Sequence, residues 1–232
     1  VRALFAILLL ASVASAHADG AAPAPFERRY DVLRNGKPLG EATLVLRRLE
    51  GPTWEFSTET RGTRGLASIA GAAISERSEF TWQDGRPELL RYRYRQDVAF
   101  RTRERSLARI DGDRIDSRDG ERRHDLAFAP GTLDRHLVVL AICADLARGT
   151  RGELRYRVAD RDDVDWHRYR VAAEEQVEGP AGPVAALRVE RVRDNPGRTT
   201  LSWIAPALGY AALRIVHREA DGETIEMRLR AD

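Results

Sequence analysis

One cysteine, Cys143, and one lysine, Lys37, stand in a chain of 232 residues. A lone thiol cannot close a disulfide within the chain, and with no cysteine near the N-terminus lipid attachment there is not expected. A lone lysine leaves Ser-x-x-Lys chemistry without a candidate. Neither Gly-x-Ser-x-Gly nor His-Glu-x-x-His occurs, so the common hydrolase templates do not fit. An excess of one charge is missing as well. The 38 basic residues face 36 acidic ones for a net charge of +2, and arginine alternates with Asp and Glu, as in residues 101–105 and 111–123. A nucleic-acid binder concentrates its cations, so that class is excluded and a solvated, mixed-charge surface is expected. Beyond the N-terminal segment no apolar run is long enough to span a bilayer.

What is present begins with a secretory signature. Arg2 gives a positive start, residues 3–13 form a short apolar stretch, and Ala16-His17-Ala18 is a small-x-small cleavage site. A signal peptide is therefore expected over residues 1–18, with Asp19 opening the mature chain. Val1 reads as a non-standard bacterial start codon translated literally, which points to the bacterial periplasm or full secretion. Residues 19–25 read as an Ala/Pro linker, and residues 26–232 as a single β-barrel-like domain.

Apolar and aromatic residues recur at alternate positions over 28–33, 41–49, 53–60, 75–83 and 88–96, the period of a strand with unlike faces. Further strands are expected over 101–110, 114–117, 122–128, 152–158, 165–177, 184–192, 199–204, 213–219 and 224–230. Asn35-Gly36, Asp84-Gly85, Asp111-Gly112, Asp119-Gly120 and Asp221-Gly222 punctuate them as hairpin turns. Two segments differ. Residues 133–147 lack turn residues, follow a potential cap at Thr132 and precede Gly149, which predicts the main helix. Residues 65–74, small and apolar, read as either a short helix or a loop. An open meander of this length would leave an apolar face and two edges in water. The expected fold is all-β: an antiparallel meander curled into a barrel or half-barrel, with the 133–147 helix packed against it.

Residues 201–210, Leu-Ser-Trp-Ile-Ala-Pro-Ala-Leu-Gly-Tyr, with Leu213-Arg214-Ile215 and Asp221-Gly222-Glu223 after them, resemble the terminal signature of an exported bacterial family catalogued as domain of unknown function 3108. Residues 130–149, with Asp134 opening the expected helix, are similar to that family's middle motif. The resemblance is clearest over 130–230; over 26–128 it lies in strand and turn spacing. Ala212 stands where the family pattern leads one to expect proline. The resemblance implies an antiparallel, barrel-like exported domain with no established activity or catalytic residues. At the level of fold alone, such curved sheets with a helical cover are similar to periplasmic lipoprotein-localisation carriers, which hold acyl chains in an apolar cavity.

Trp54 with Phe56, Phe80 with Trp82, and Tyr92 with Tyr94 are i, i+2 pairs, each projecting from one sheet face. Facing Leu137 and Leu140 of the helix, this aromatic wall would either line a cavity for a lipophilic ligand or fill the core. Trp203, Pro206 and Tyr210 would either dock an envelope partner or plug the barrel end. Of the five histidines, Asp134 and His136 stand two apart on the expected helix and so face different sides. His124 adjoins Asp125, Asp165 and His167 share a strand face, and Cys143 reads as a small buried hydrophobe. Asp160, Asp162, Asp163 and Asp165 crowd a turn, which reads as solvated rather than as a calcium loop, since Asp165 and Val171 occupy the positions of the required glycine and bidentate glutamate. No catalytic residue, metal or cofactor is assigned. The expected role is non-catalytic binding of a lipid or other lipophilic envelope component in the periplasm, with envelope protein docking or a structural role as the alternative and a hydrolase after that.

Overall fold

Among the described residues, alternation of inward apolar and outward charged residues builds fifteen strands into one sheet. The computed structural model describes residues 22–65, 68, 71–194 and 197–231; the expected signal segment and most of the apolar side chains of the 65–74 segment lie outside the described residues. The first half of the chain is a meander: β1 (Phe26–Arg34), β2 (Lys37–Arg48), β3 (Thr53–Gly62), β4 (Ala73–Gln83), β5 (Arg86–Val98), β6 (Arg101–Ile110), β7 (Arg114–Asp119) and β8 (Arg122–Ala127). A two-residue strand, β9 (Leu133–Asp134), leads to helix α1 (Val138–Ala147). The second half is again a meander: β10 (Glu153–Asp160), β11 (Asp163–Gly179), β12 (Gly182–Val192), β13 (Thr199–Ala205), β14 (Ala211–Arg218) and β15 (Thr224–Leu229). The two halves join where β1 pairs with β15, Tyr30 opposite Leu229 and Arg34 opposite Ile225, so the first and last strands lie side by side mid-sheet. Every neighbouring pair is antiparallel except β9 with β10.

The turns follow from the dipeptides. Asn35 and Gly36, and Asp84 and Gly85, all have positive φ, as a primed two-residue hairpin turn requires. One glycine answers to close approach instead: a Cβ on Gly40 would meet the backbone oxygen of Arg61 at 2.0 Å, where β2 and β3 cross tightly. At the sheet's ends, β8 on one side and β9 with β10 on the other are brought together by loop and side-chain contacts. The Leu89 amide donates to the Thr132 carbonyl (3.0 Å), the Ser117 hydroxyl to the Arg161 carbonyl, and Ala159 packs with Leu89, Tyr92 and Phe128. The sheet thus curls on itself as expected, closed by a seam that is not a regular ladder.

The helix differs from expectation at its start. Leu133 and Asp134 bridge to Val158 and Ala159 of β10, which satisfies their backbone groups as strand. The Asp134 carboxylate then accepts from the amides of His136 (2.8 Å) and Leu137 (2.9 Å), forming a tight turn into α1 at Val138. Thr132 does not cap the helix; its hydroxyl donates to the Ala129 carbonyl. The end is as expected, with Gly149 in the left-handed region at φ 84° and its amide donating to Leu146. α1 is apolar nearly all round and sits against the inner face, where Leu137, Leu140, Ala141 and Leu146 pack with Tyr30, Phe56, Phe80, Tyr156 and Ile204. An all-round apolar helix can be stable only when enclosed.

The one charge on α1, Asp145, is buried and fully partnered. Arg86 donates to both its oxygens (2.9 and 3.1 Å), Arg148 to one, and the Tyr156 hydroxyl to the other (2.7 Å). This ties the helix to the start of β5 and to β10. A buried carboxylate is tolerated only with such compensation. Asp145→Ala should lower the unfolding free energy by about 2–3 kcal/mol in urea denaturation, toward the low end for a broken buried pair because both arginines reach solvent.

Candidate functional site

Two polar assemblies depart from the packed interior. The first lies inside the curled sheet, at the turn into α1. His136 stacks on Phe56, with centroids 4.3 Å apart and planes at 16°, and its ring nitrogens meet the hydroxyls of Thr58 (2.8 Å) and Ser78 (3.0 Å). Beside it Asp134 is fully buried, and its Oδ2 has no hydrogen-bond partner. Burial raises the Asp134 carboxyl to about 7 against the stabilising backbone bonds, and lowers the His136 imidazole to about 4. Arg135, between them in sequence, points to Glu76, which accepts from its Nη2 (2.8 Å) and from the Tyr92 hydroxyl (2.6 Å). Burial alone would raise Glu76, but the charges of His136 and Arg135 and these hydrogen bonds outweigh it and hold the carboxyl below its usual value.

Ser78, His136 and Asp134 hold a serine, a histidine and an aspartate together, but not as a hydrolytic site. Ser78 is wholly buried, so no substrate reaches it, and an imidazole held near 4 is a weak base at neutral pH. The expectation that Asp134 and His136 stand two apart on a helix is corrected here. It presumed helix at 133–137, and the chain is strand and turn there, so the Asp134 carboxylate bonds the His136 amide directly.

The second assembly is a cleft of about 560 Å³ across β3 to β7. Five arginines line it, Arg77, Arg93, Arg95, Arg105 and Arg118, against Glu59, Glu76 and Glu104, with Tyr94 and serine hydroxyls between. Most of these residues occupy outward positions of the register, where Ser57 faces Arg77, Arg77 faces Arg93 and Arg93 faces Ser106. A second cleft of the same size over β2 and β3 shares Ser57 and Glu59 with it. Arg77 and Arg118 are half-exposed and pair with Glu55 (3.5 Å) and Asp116 (3.3 Å), carboxylates that Arg47 and Arg123 hold more closely (2.8 and 2.7 Å), so both guanidinium groups can turn to a ligand without leaving those acids unpaired.

The family model described as Protein of unknown function (DUF3108) matches residues 29–230. The chain belongs to the DUF3108 family. Among solved structures, the beta-barrel-like protein of domain of unknown function DUF1849 from Brucella abortus is similar, with a TM-score of 0.55 and 10% identity over 90% of this chain and 96% of that one. At that identity the likeness shows the fold alone. No curated protein matches the chain.

In this DUF3108 chain the residues singled out in the sequence separate into distinct places. Trp54, Phe56, Phe80 and Tyr92 share the inner face and are buried, and Trp82 is half-buried beside Phe80 at 6.4 Å. Trp54, Phe56 and Phe80 pack in one core with Leu137 and Leu140; Tyr92 and Tyr94 belong to a smaller core with Leu89, Leu107 and Ile115. Tyr94 alone of the wall also lines the arginine cleft, with Arg105 and Arg135 over its ring at 5.3 and 4.9 Å. Trp203 is buried in a satellite cluster on the opposite face of β12 to β14, and its indole donates to Glu175 (2.9 Å). Pro206 opens a short 3-10 turn, and half-buried Tyr210 packs against the main core. The Cys143 thiol donates to the Tyr210 carbonyl (3.3 Å) and is pushed up to about 12 by burial, which makes it a poor nucleophile. His167 is lowered to about 4 by burial and by Arg191. At the acidic turn the Asp163 carboxyl is raised by burial and by its neighbours Asp162, Asp165 and Asp160; no group of three or more His, Cys, Asp or Glu residues able to hold a metal ion is found among the described residues. Nor is any described helix long and apolar enough to cross a membrane.

The arginine cleft and the Asp145 cluster were missed in the sequence. A lone acid in an apolar helical stretch was a usable signal for Asp145. The cleft had none, because its cations come from four strands of evenly mixed charge.

Proposed function

We propose that this protein is an exported, non-catalytic binding protein of the bacterial envelope that takes an anionic lipid by its headgroup. The observation that carries this reading is the arginine-lined cleft of about 560 Å³ on β3 to β7, beside an interior occupied by its own side chains. Guanidinium groups from neighbouring strands suit a phosphate, which accepts paired hydrogen bonds, and Tyr94 and the serines suit a polyol or sugar attached to it. The N-terminal sequence supports export, and the inaccessibility of Ser78 and His136 supports a role without catalysis.

The test is native mass spectrometry of the protein purified gently from a periplasmic extract. An added mass that is lost on organic extraction and identified as an acidic lipid is expected, and it should be absent from Arg77→Glu/Arg93→Glu. A clean unliganded mass in both proteins would turn the reading toward protein docking, with a partner pull-down as the next step.

A further inference from the structure

The hairpin whose stem forms part of the cleft ends in a turn unlike its neighbours. Val98 pairs with Arg101, so the turn is Ala99-Phe100, and Ala99 takes a positive φ of 53°. The corresponding turns Asn35-Gly36 and Asp84-Gly85 meet that geometry with residues that tolerate it. Here the sequence places an alanine in an unfavourable conformation and an aromatic ring at the tip. Phe100 is fully exposed, at 105% of its reference surface, and Val98 beside it at 40%. Only two other large apolar residues are exposed among those described, Trp166 and Leu208, and neither lies on this turn.

Behind the tip stands a collar of cations. Arg101 and Arg103, neither of which lines the cleft, flank the turn against Asp97 and Glu104, both of which pair with Arg95 (2.8 Å each). Arg103 reaches Asp119 only at 3.6 Å. We infer that the β5–β6 hairpin tip is a membrane-surface anchor, with Phe100 and Val98 entering the acyl boundary of an anionic bilayer and the arginines meeting its phosphates. A convex, two-residue knuckle offers far less than the roughly 800 Å² per partner of a stable protein interface. A bilayer surface yields around such a knuckle, and long cationic side chains spread to its headgroups. This inference is independent of ligand capture in the cleft.

The full-length protein is to be co-sedimented with phosphatidylglycerol vesicles and with phosphatidylcholine vesicles. Binding to the first and not the second is expected, weakening as salt is raised. Phe100→Ser should weaken it by about tenfold or more, the equivalent of burying one aromatic side chain, with the melting temperature unchanged because the ring touches no core. Phe100→Trp should add a blue-shifted emission quenched by brominated phosphatidylglycerol. Equal vesicle binding by Phe100→Ser and the parent, as an N-terminal apolar segment alone would give, overturns the inference. So does an unquenched tryptophan at position 100. Neither outcome bears on the cleft, whose ligand is tested with a soluble lipid monomer.

Discussion

Trp54→Ala is expected to lower the unfolding free energy by about 3–5 kcal/mol, the range for truncating a buried large aromatic, while lipid binding by the protein that remains folded is unchanged. Trp54 lies in the main core with Phe56, Phe80, Leu137 and Leu140, and its removal leaves a void that strands fixed by hydrogen bonds on both sides cannot collapse to fill. Urea denaturation with a lipid-binding assay on the same sample separates the alternatives. If the aromatic wall instead receives an acyl chain, binding will fall more than stability does. A variant nearly as stable as the parent but empty of lipid would place the ligand inside the sheet.

The second large effect is a change in the pH dependence of stability on Asp134→Asn. The Asp134 carboxyl titrates near 7 in the folded protein, against 3.8 for the ordinary group. Between those values the folded chain binds a proton that the unfolded chain has lost, so this residue makes stability fall as pH rises from about 4 to about 7. His136 acts in the opposite sense. Its folded value near 4 lies below the ordinary 6.5, so the unfolded chain binds the extra proton and stability rises over that window. In the parent the two slopes offset each other. Asparagine keeps the acceptor for the His136 and Leu137 amides and removes the titration, leaving the histidine slope exposed. Relative to the parent, Asp134→Asn should gain stability with rising pH, by at most about 4 kcal/mol at neutrality. Parallel stability curves for the two proteins from pH 4 to pH 8 would show that Asp134 is ionised throughout.

The strands were legible because each half-buried strand writes its own alternation. Val32, Leu44, Leu46, Phe56 and Phe80 each fall where the period of two places them, and the Asx-Gly turns separate the strands. Helix α1 was legible in type and at its end, but not at its start. Whether Leu133 and Asp134 continue a helix or bridge a strand depends on β10, some twenty-five residues away, and no local pattern encodes that bridge. The same dependence hid the approach of Ser78 and Thr58 to His136, which β3 and β4 deliver from the opposite side of the core. The Ala99-Phe100 turn was hidden for another reason: it lacks the glycine that marks the Asx-Gly hairpins, as does Arg161-Asp162 between β10 and β11, and what sets it apart in the structure is the exposed aromatic ring at its tip.

Isothermal titration with dihexanoyl phosphatidylglycerol, kept monomeric, tests the central claim most directly, because a soluble acidic lipid probes the arginine cleft without a bilayer. The account predicts saturable binding by the parent protein, weakened about tenfold or more in Arg77→Glu/Arg93→Glu through loss of charge-assisted hydrogen bonds, and retained in Trp54→Ala and Phe100→Ser. Equal binding by the charge-reversed protein, or equal binding of the zwitterionic phosphatidylcholine analogue by the parent, would contradict it.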